Sequence, residues 1–377
     1  MDVVHLWGIR FIQWLQEFRS LGPLFISVSQ IGSPPLAYAL VFPTAYYMNP
    51  VLGLLTLLCT SFSEWVSGIL KWLLHGHRPY WWVNLYAQQT ATSPIFIEQY
   101  PPTCETGPGS PSGHCMITLA AIVPPLIFAQ HSLPSFYQKL LWLLFGIFVM
   151  LLGLSRLFLA AHFPHQVIAG IVSGLSLGFA FTHYSSITRL IAADQHGKYA
   201  LSIPFINTLV TWLHHPSVLI ALGLASFLVA SLFGLFLQSV LGVDVNWSIE
   251  LARNSCRHLD WVHLSTSLMV GFARIAGYLS GLAVALMFQL PSDSSLLRSH
   301  VGVDVVLLAC IAALVTKVVA EPLCHQLLSA FVSQLIPTGN GSGPGLVLLI
   351  SSVFEAATGP LLAVGILPSF LYAFTKQ

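Results

Sequence analysis

Three short stretches concentrate the residues able to do chemistry. KWLLHGHRPYWW carries Lys71 and Arg78, PSGHCM carries His114, and LSRLFLAAHFPHQ carries Arg156 and His162. A lysine and two arginines form a cluster of donors for a tetrahedral oxyanion, and each guanidinium can offer two parallel hydrogen bonds. Two histidines beside such a cradle supply the other parts of a phosphate-monoester reaction. One imidazole attacks phosphorus and the other protonates the leaving alcohol. The stretch CETGPGSPSGHCM adds a backbone element ahead of an apolar run. Ser112 can cap the helix that follows, and Gly113, lacking a side chain, leaves N–H groups at the helix N-terminus open to phosphate. Uncatalysed phosphate-monoester hydrolysis needs up to ~10²¹-fold acceleration, so several preorganised cations suit the task. Taken singly, the same residues have ordinary readings: a lysine at a helix end snorkels to headgroups, and Ser-Gly is a capped turn.

The elements that must hold these residues are membrane helices. The 377-residue chain is 55% hydrophobic and 7% charged, whereas a soluble domain carries about 25% charged residues. It cannot cover itself with a solvated surface. Apolar runs at 24–46, 51–74, 115–131, 138–157, 163–184, 217–240, 264–290, 301–337 and 345–373 predict an all-α polytopic membrane protein of nine spans. Pro34 and Pro35 kink the first run. Lys317, Glu321, Pro322 and His325 interrupt 301–337, which reads as one helix with a flanking segment or as two short pieces. Successive helices alternate direction. The end of the second span and the start of the third therefore share a face with the end of the fourth and the start of the fifth. Counting alone brings Lys71, Arg78, His114, Arg156 and His162 to one side of the membrane.

No linker divides the chain, which reads as a single membrane domain over 1–377. Residues 1–22 form an N-terminal helix, 51–185 hold the catalytic helices and a polar loop, and 200–377 supply the C-terminal helices. Trp7, Phe11, Trp14, Leu15, Phe18 and Leu21 recur at helical spacing against Arg10, Gln13 and Glu17. That pattern describes a helix lying in the membrane interface or one packed on the bundle. No secretory signal pattern opens the chain. The net charge of +1 gives no basis for nucleic-acid binding. Tyr80, Trp81 and Trp82 fit an interfacial aromatic belt. The six cysteines are scattered and read as small apolar fillers, with a Cys104–Cys115 pair disfavoured. His75, His77, His162 and His165 come with no HExxH pattern or carboxylate cluster, so no metal or other cofactor is expected. Glu105 and Thr106 read equally as contacts to a substrate's hydroxyls or as part of a surface loop. Arg274 and Glu355 read as buried partners, with each other among the choices. Lys and Arg divide evenly between the faces. Sequons at Asn246 and Asn340 fall on the face of the 75–113 loop and point to a lumenal or extracellular side.

The three stretches together resemble the signature of the type 2 phosphatidic-acid-phosphatase and vanadium-haloperoxidase superfamily, K-x6-RP, PSGH and SR-x5-H, in that order. Within it, RPYWW, CETGPGSPSGH and LAAHFPHQV are similar to the glucose-6-phosphatase catalytic subunits, and FPTAYY at 42–47 with PSGHCMIT leans toward their ubiquitously expressed form. The resemblance implies nine helices in the endoplasmic reticulum membrane with the site facing the lumen, and a metal-free, two-step reaction on glucose-6-phosphate or a related hexose-6-phosphate. It implies His162 as nucleophile forming phosphohistidine, and His114 as general acid and then base. Lys71, Arg78 and Arg156 would hold the phosphate, with the Ser112 and Gly113 backbone. A glucose-6-phosphate translocase would be the partner that feeds the site. The sequence departs from the wider pattern at Gln166, where an aspartate commonly orients the nucleophile; the sugar-phosphatase branch shares this glutamine, and it is the expected orienting residue. Ser33 stands where the branch has aspartate, the loop carries QQTATS at 88–93 in place of a sequon, and FTKQ is not a dilysine signal.

Other readings use the same residues. A lipid-phosphate phosphatase needs an opening toward the bilayer, whereas the long polar loop favours a water-soluble substrate. An organophosphate transporter needs charges near mid-membrane on broken helices, whereas these lie at helix ends. A catalytically inactive homologue is suggested by Ser33 alone.

Overall fold

The computed structural model describes residues 1–93, 95–131, 133–184, 215–288 and 343–366, with the single positions 212, 311, 326 and 330. Helices α1 (Asp2–Gln16), α2 (Gly22–Ile31), α3 (Pro34–Met48) and α4 (Pro50–Leu74) lead to α5 (Pro79–Thr90). The central group is α6 (Gly113–His131), α7 (Ser135–Phe158) and α8 (Pro164–Tyr184). The second half contributes α9 (Pro216–Ser239), α10 (Trp247–Ser255), α11 (Leu268–Phe288) and α12 (Gly343–Pro360). Among the described residues the only β pairing is an isolated bridge between Glu105 and His263.

Seven helical stretches among the described residues are long and apolar enough to cross a membrane, or eight if α2 and α3, bent by 53° at their break, form one span. The bend falls at Gly32, Ser33 and Pro34, where the proline removes a backbone donor. The expected span over 301–337 lies outside the described residues.

Local chemistry sets the ends of the helices that reach the site. Asn49 caps α4, its side chain accepting from Val51 N at 2.9 Å and Leu52 N at 3.2 Å, with Pro50 in the first turn. The other end of α4 stops at His75, which adopts the left-handed conformation at φ 46. α8 lies against α6 along Gly170, Gly174 and Gly178, spaced four apart on one helix face. A Cβ at Gly170 would stand 2.6 Å from the Ser112 carbonyl, and one at Gly174 would strike the Met116 carbonyl. Small residues at this spacing let two membrane helices approach at backbone distance. That contact seats the start of α6 beside the start of α8.

Three expectations need correction. The polar 75–113 insertion contains α5, and Tyr80, Trp81 and Trp82 are buried in it, packed with Phe158, Phe163 and Ile12 in one core cluster instead of forming an outward belt. Cys104 is disulfide-bonded to Cys256, with Cα atoms 5.9 Å apart, so these two are not apolar fillers; Cys59 and Cys115 are free and buried. Arg274 on α11 pairs with Glu64 on α4 at 2.9 Å rather than with Glu355, because α11 packs beside α4. α1 buries His5, Gly8, Ile9, Ile12 and Leu15 and leaves Trp7 and Trp14 exposed.

Candidate active site

Lys71, Arg78, His114, Arg156 and His162 stand at helix ends or in the turn beside one. Lys71 is in the last turn of α4 and Arg156 in the last turn of α7. Arg78 is the extended residue (φ −101, ψ 151) before Pro79, the conformation a residue preceding proline favours. His114 is the second residue of α6. His162 occupies the connection between α7 and α8, after Ala160, which is left-handed at φ 50. This turn presents the Ala161 carbonyl to Arg78 and the His162 ring to the cluster.

The cluster is dry. Arg78, Arg156 and His162 are 0% exposed and Lys71 is 8% exposed. Arg78 donates from Nε to the Gly107 carbonyl at 2.6 Å and from Nη1 to the Ala161 carbonyl at 3.0 Å, and Nη1 lies 3.4 Å from His162 Nε2. Arg156 donates from Nη1 to Ser29 Oγ at 2.6 Å and from Nη2 to Glu105. The Lys71 ammonium sits beside Gly107 and Gly113, where added Cβ atoms would stand 3.8 and 3.7 Å from Nζ.

His162 Nδ1 lies 2.7 Å from the carbonyl oxygen of Gly109. A carbonyl only accepts, so this contact assigns the ring proton to Nδ1 and leaves a lone pair on Nε2. Burial, reinforced by Arg78 and Arg156, pushes the imidazole's pKa well below its ordinary 6.5. At neutral pH Nε2 is an unprotonated nitrogen surrounded by cations.

Glu105 is 7% exposed and is not a surface acid. Its Oε2 lies 2.9 Å from Arg78 Nη1 and 4.0 Å from His162 Nε2, while Oε1 pairs with Arg156 and lies 3.5 Å from His114 Nδ1. Burial alone would raise its pKa; Arg156 and Arg78, with the two histidines, reverse this and hold it well below the carboxylate range. Its backbone is fixed by the Tyr80 hydroxyl, which donates to the Glu105 carbonyl at 2.9 Å, and by the disulfide at Cys104. The neighbouring Thr106 N–H donates to Thr266 Oγ1 at 2.9 Å.

Two expected contacts differ in the structure. Gln166 does not touch His162: its Nε2 donates to the His77 carbonyl at 2.7 Å and its Oε1 accepts from Phe163 N at 3.1 Å. It ties the start of α8 to the 75–78 turn, whose Gly76 carbonyl in turn accepts from Gly109 N at 2.7 Å. The Ser112 N–H is committed to the Gln166 carbonyl at 3.0 Å, and its hydroxyl is fully buried. The Gly109 carbonyl and Ser29 were not singled out from the sequence. A backbone acceptor leaves no mark on residue type, and Ser29 is one polar residue in an apolar run. His75 and His77 pack on Trp247, and His165 stacks near His5.

The arrangement offers one unprotonated nitrogen aimed into a cluster of fixed cations, with a second imidazole at the other oxygen of Glu105. Such a site suits transfer of a phosphoryl group through the first histidine.

Comparison with known proteins agrees with the motifs. Residues 51–189 match the PAP2 superfamily model. Mouse (Mus musculus) glucose-6-phosphatase 3 is 35% identical over 301 residues, covering 78% of this chain and 79% of that protein. Dog (Canis lupus familiaris) glucose-6-phosphatase catalytic subunit 1 is 35% identical over 304 residues, covering 78% of each. Human (Homo sapiens) glucose-6-phosphatase 2 is 30% identical over 389 residues, covering 100% of this chain and 98% of that protein. No solved structure matches the chain significantly.

Proposed function

Since the chain belongs to the glucose-6-phosphatase family, we propose that it hydrolyses glucose-6-phosphate, or a closely related hexose-6-phosphate, to free sugar and inorganic phosphate through a phosphohistidine. The observation that carries the mechanism is the pairing of His162 Nδ1 with the Gly109 carbonyl, which turns the free Nε2 toward Arg78. Nε2 attacks phosphorus as the bond from phosphorus to the sugar oxygen breaks, and His114 gives its proton to that oxygen. Water then attacks the phosphohistidine while His114 takes a proton from it, and phosphate leaves with His162 restored. Lys71, Arg78 and Arg156 hold the phosphoryl oxygens throughout. Because they are fixed and buried, their charge acts without reorganisation.

Placement in the endoplasmic reticulum membrane, with the site facing the lumen, fits the Cys104–Cys256 disulfide, which lies one residue from Glu105 and belongs to an oxidising compartment. A charged sugar phosphate crosses a bilayer only with a carrier, so a lumenal site implies a glucose-6-phosphate translocase as functional partner. The exposed Trp7 and Trp14 suit α1 to the membrane interface.

The test uses purified full-length protein in detergent with EDTA. Phosphate release from glucose-6-phosphate is expected in the wild type, and His162→Ala should lower kcat by about 10⁴-fold or more. Acid quenching with labelled substrate should trap an acid-labile, alkali-stable phosphoprotein that His162→Ala lacks. Turnover of lipid phosphates with none of sugar phosphates would replace this substrate assignment, and turnover without the adduct would remove the mechanism.

A further inference from the structure

Glu105 has a position that the reaction above leaves unused. Its two oxygens take a donor of Arg78 and a donor of Arg156, and they stand between His162 Nε2, at 4.0 Å, and His114 Nδ1, at 3.5 Å. A phosphoryl group attacked by His162 and leaving toward His114 must occupy that same space. A carboxylate and a phosphate offer the same planar edge of two oxygens to an arginine. Both cannot be there together.

The geometry points to Glu105 as a resident stand-in for the substrate's phosphate, which closes the cradle when it is empty and must swing aside for an entering phosphate dianion. The inference rests on the phosphoryl-transfer reading of the site. The backbone of Glu105 stays in place during the exchange, held by Tyr80, by the Cys104–Cys256 disulfide and by the bridge to His263. The movement is a rotation of the side chain.

Selectivity follows from charge. Lys71, Arg78 and Arg156 would attract any small anion into a buried site, and two unpaired buried guanidinium groups would be costly. With Glu105 in place, an incoming ligand gains only what exceeds one resident negative charge and two well-placed oxygens. A phosphate dianion exceeds both. Chloride, nitrate and carboxylates do not. Glu105 is therefore a specificity-determining residue that acts by competition, and it also keeps the arginines apart and aligned between turnovers.

The experiment compares wild type with Glu105→Gln, which keeps the shape and removes the charge. Orthophosphate binding is read by its effect on the melting temperature, and inhibition of glucose-6-phosphate hydrolysis is read for orthophosphate, nitrate and chloride. The expected result is orthophosphate binding at least 5-fold tighter in Glu105→Gln, with nitrate and chloride inhibition rising by a larger factor, so that the phosphate-to-nitrate ratio falls. Orthophosphate binding that is unchanged or weaker in Glu105→Gln overturns the proposal, since it would mean that the carboxylate helps to hold phosphate. Should Glu105→Gln fail to fold, Glu105→Asp carries the same test, because its carboxylate is one methylene too short to reach both arginines from the fixed backbone. Orthophosphate binding needs no turnover, so wild-type protein that binds orthophosphate but fails to hydrolyse any sugar phosphate would count against the proposed reaction alone.

Discussion

The carbonyl oxygen of Gly109 lies 2.7 Å from Nδ1 of His162, so a backbone group holds the ring that carries the lone pair. A histidine ring proton is commonly held by a backbone carbonyl or a carboxylate, and here the side chain at the expected position, Gln166, instead donates to the His77 carbonyl. The orienting acceptor cannot be deleted by substitution, but it can be moved. A Cβ at Gly109 would lie 2.6 Å from the His77 carbonyl and 2.8 Å from Gln166 Oε1. Gly109→Ala should therefore displace the carbonyl and lower kcat by roughly 10²-fold, as small misplacements of catalytic groups do. KM should change far less. Steady-state kinetics on glucose-6-phosphate separate the two, and an equal loss in both parameters would count against the orienting role.

Ser29 reaches Arg156 from α2, outside the stretch of chain that matches the superfamily model. It satisfies Nη1 of a guanidinium that is 0% exposed. Ser29→Ala leaves that donor unpaired in a buried site, at a cost of about 1–3 kcal/mol. The expected outcome is a roughly 10-fold rise in KM and in the inhibition constant for orthophosphate, with kcat less affected. Inhibition unchanged from wild type would show that Arg156 is held without Ser29.

The Glu64–Arg274 pair ties α4 to α11 and, through the donation from Arg274 Nη1 to the Ser265 carbonyl at 2.6 Å, fixes the turn whose Thr266 holds Thr106. Removing one member leaves the other uncompensated. Arg274→Met or Glu64→Leu alone should destabilise by about 3 kcal/mol, and the double variant by clearly less than the sum. Thermal unfolding of the three proteins in one detergent tests this, and strict additivity would show that the two charges do not interact.

His5 is buried on α1 against Phe163, its ring centroid 4.2 Å from that ring, and Nδ1 has no partner. Burial first, then the neighbouring His165 and His77, lowers its pKa from 6.5 to about 4, with Asp2 opposing and the N-terminal amine adding to the shift. A depressed pKa means that the unfolded chain binds the proton first as pH falls. Stability should thus be intact above pH 6.5 and decline between 6.5 and 4. His5→Phe keeps the stack and removes the titration. It should leave the melting temperature nearly unchanged at pH 7.5 and be more stable than wild type at pH 5 by about 1 kcal/mol, allowing for solvent screening. Parallel pH profiles for the two proteins would exclude His5 as a source of acid lability.

The five residues named first were legible because charges in an apolar chain are costly, and they sort by the parity of the spans that carry them. Lys71, Arg78, His114, Arg156 and His162 needed only a count of helices to be placed on one face. What escaped is of another kind. Ser29 meets Arg156 across 127 residues, Glu64 meets Arg274 across 210, and Cys104 meets Cys256 across 152. Nothing in local pattern distinguishes these partners from their neighbours. The aromatic run at Tyr80 was placed at a lipid boundary because an interfacial belt and a buried core favour the same residue types.

The sequence by itself determined that the chain is built of apolar helices, that its cations and histidines lie at their ends, and that small residues lead into α6. These follow from burial cost and backbone sterics, which act within a few residues. The tertiary structure alone decided which carbonyl orients His162, where the Gln166 amide goes, and that the Glu105 carboxylate lies between two arginines. Those are contacts between backbone and side-chain atoms of separate segments, selected by packing to within an ångström, and residue type does not record them.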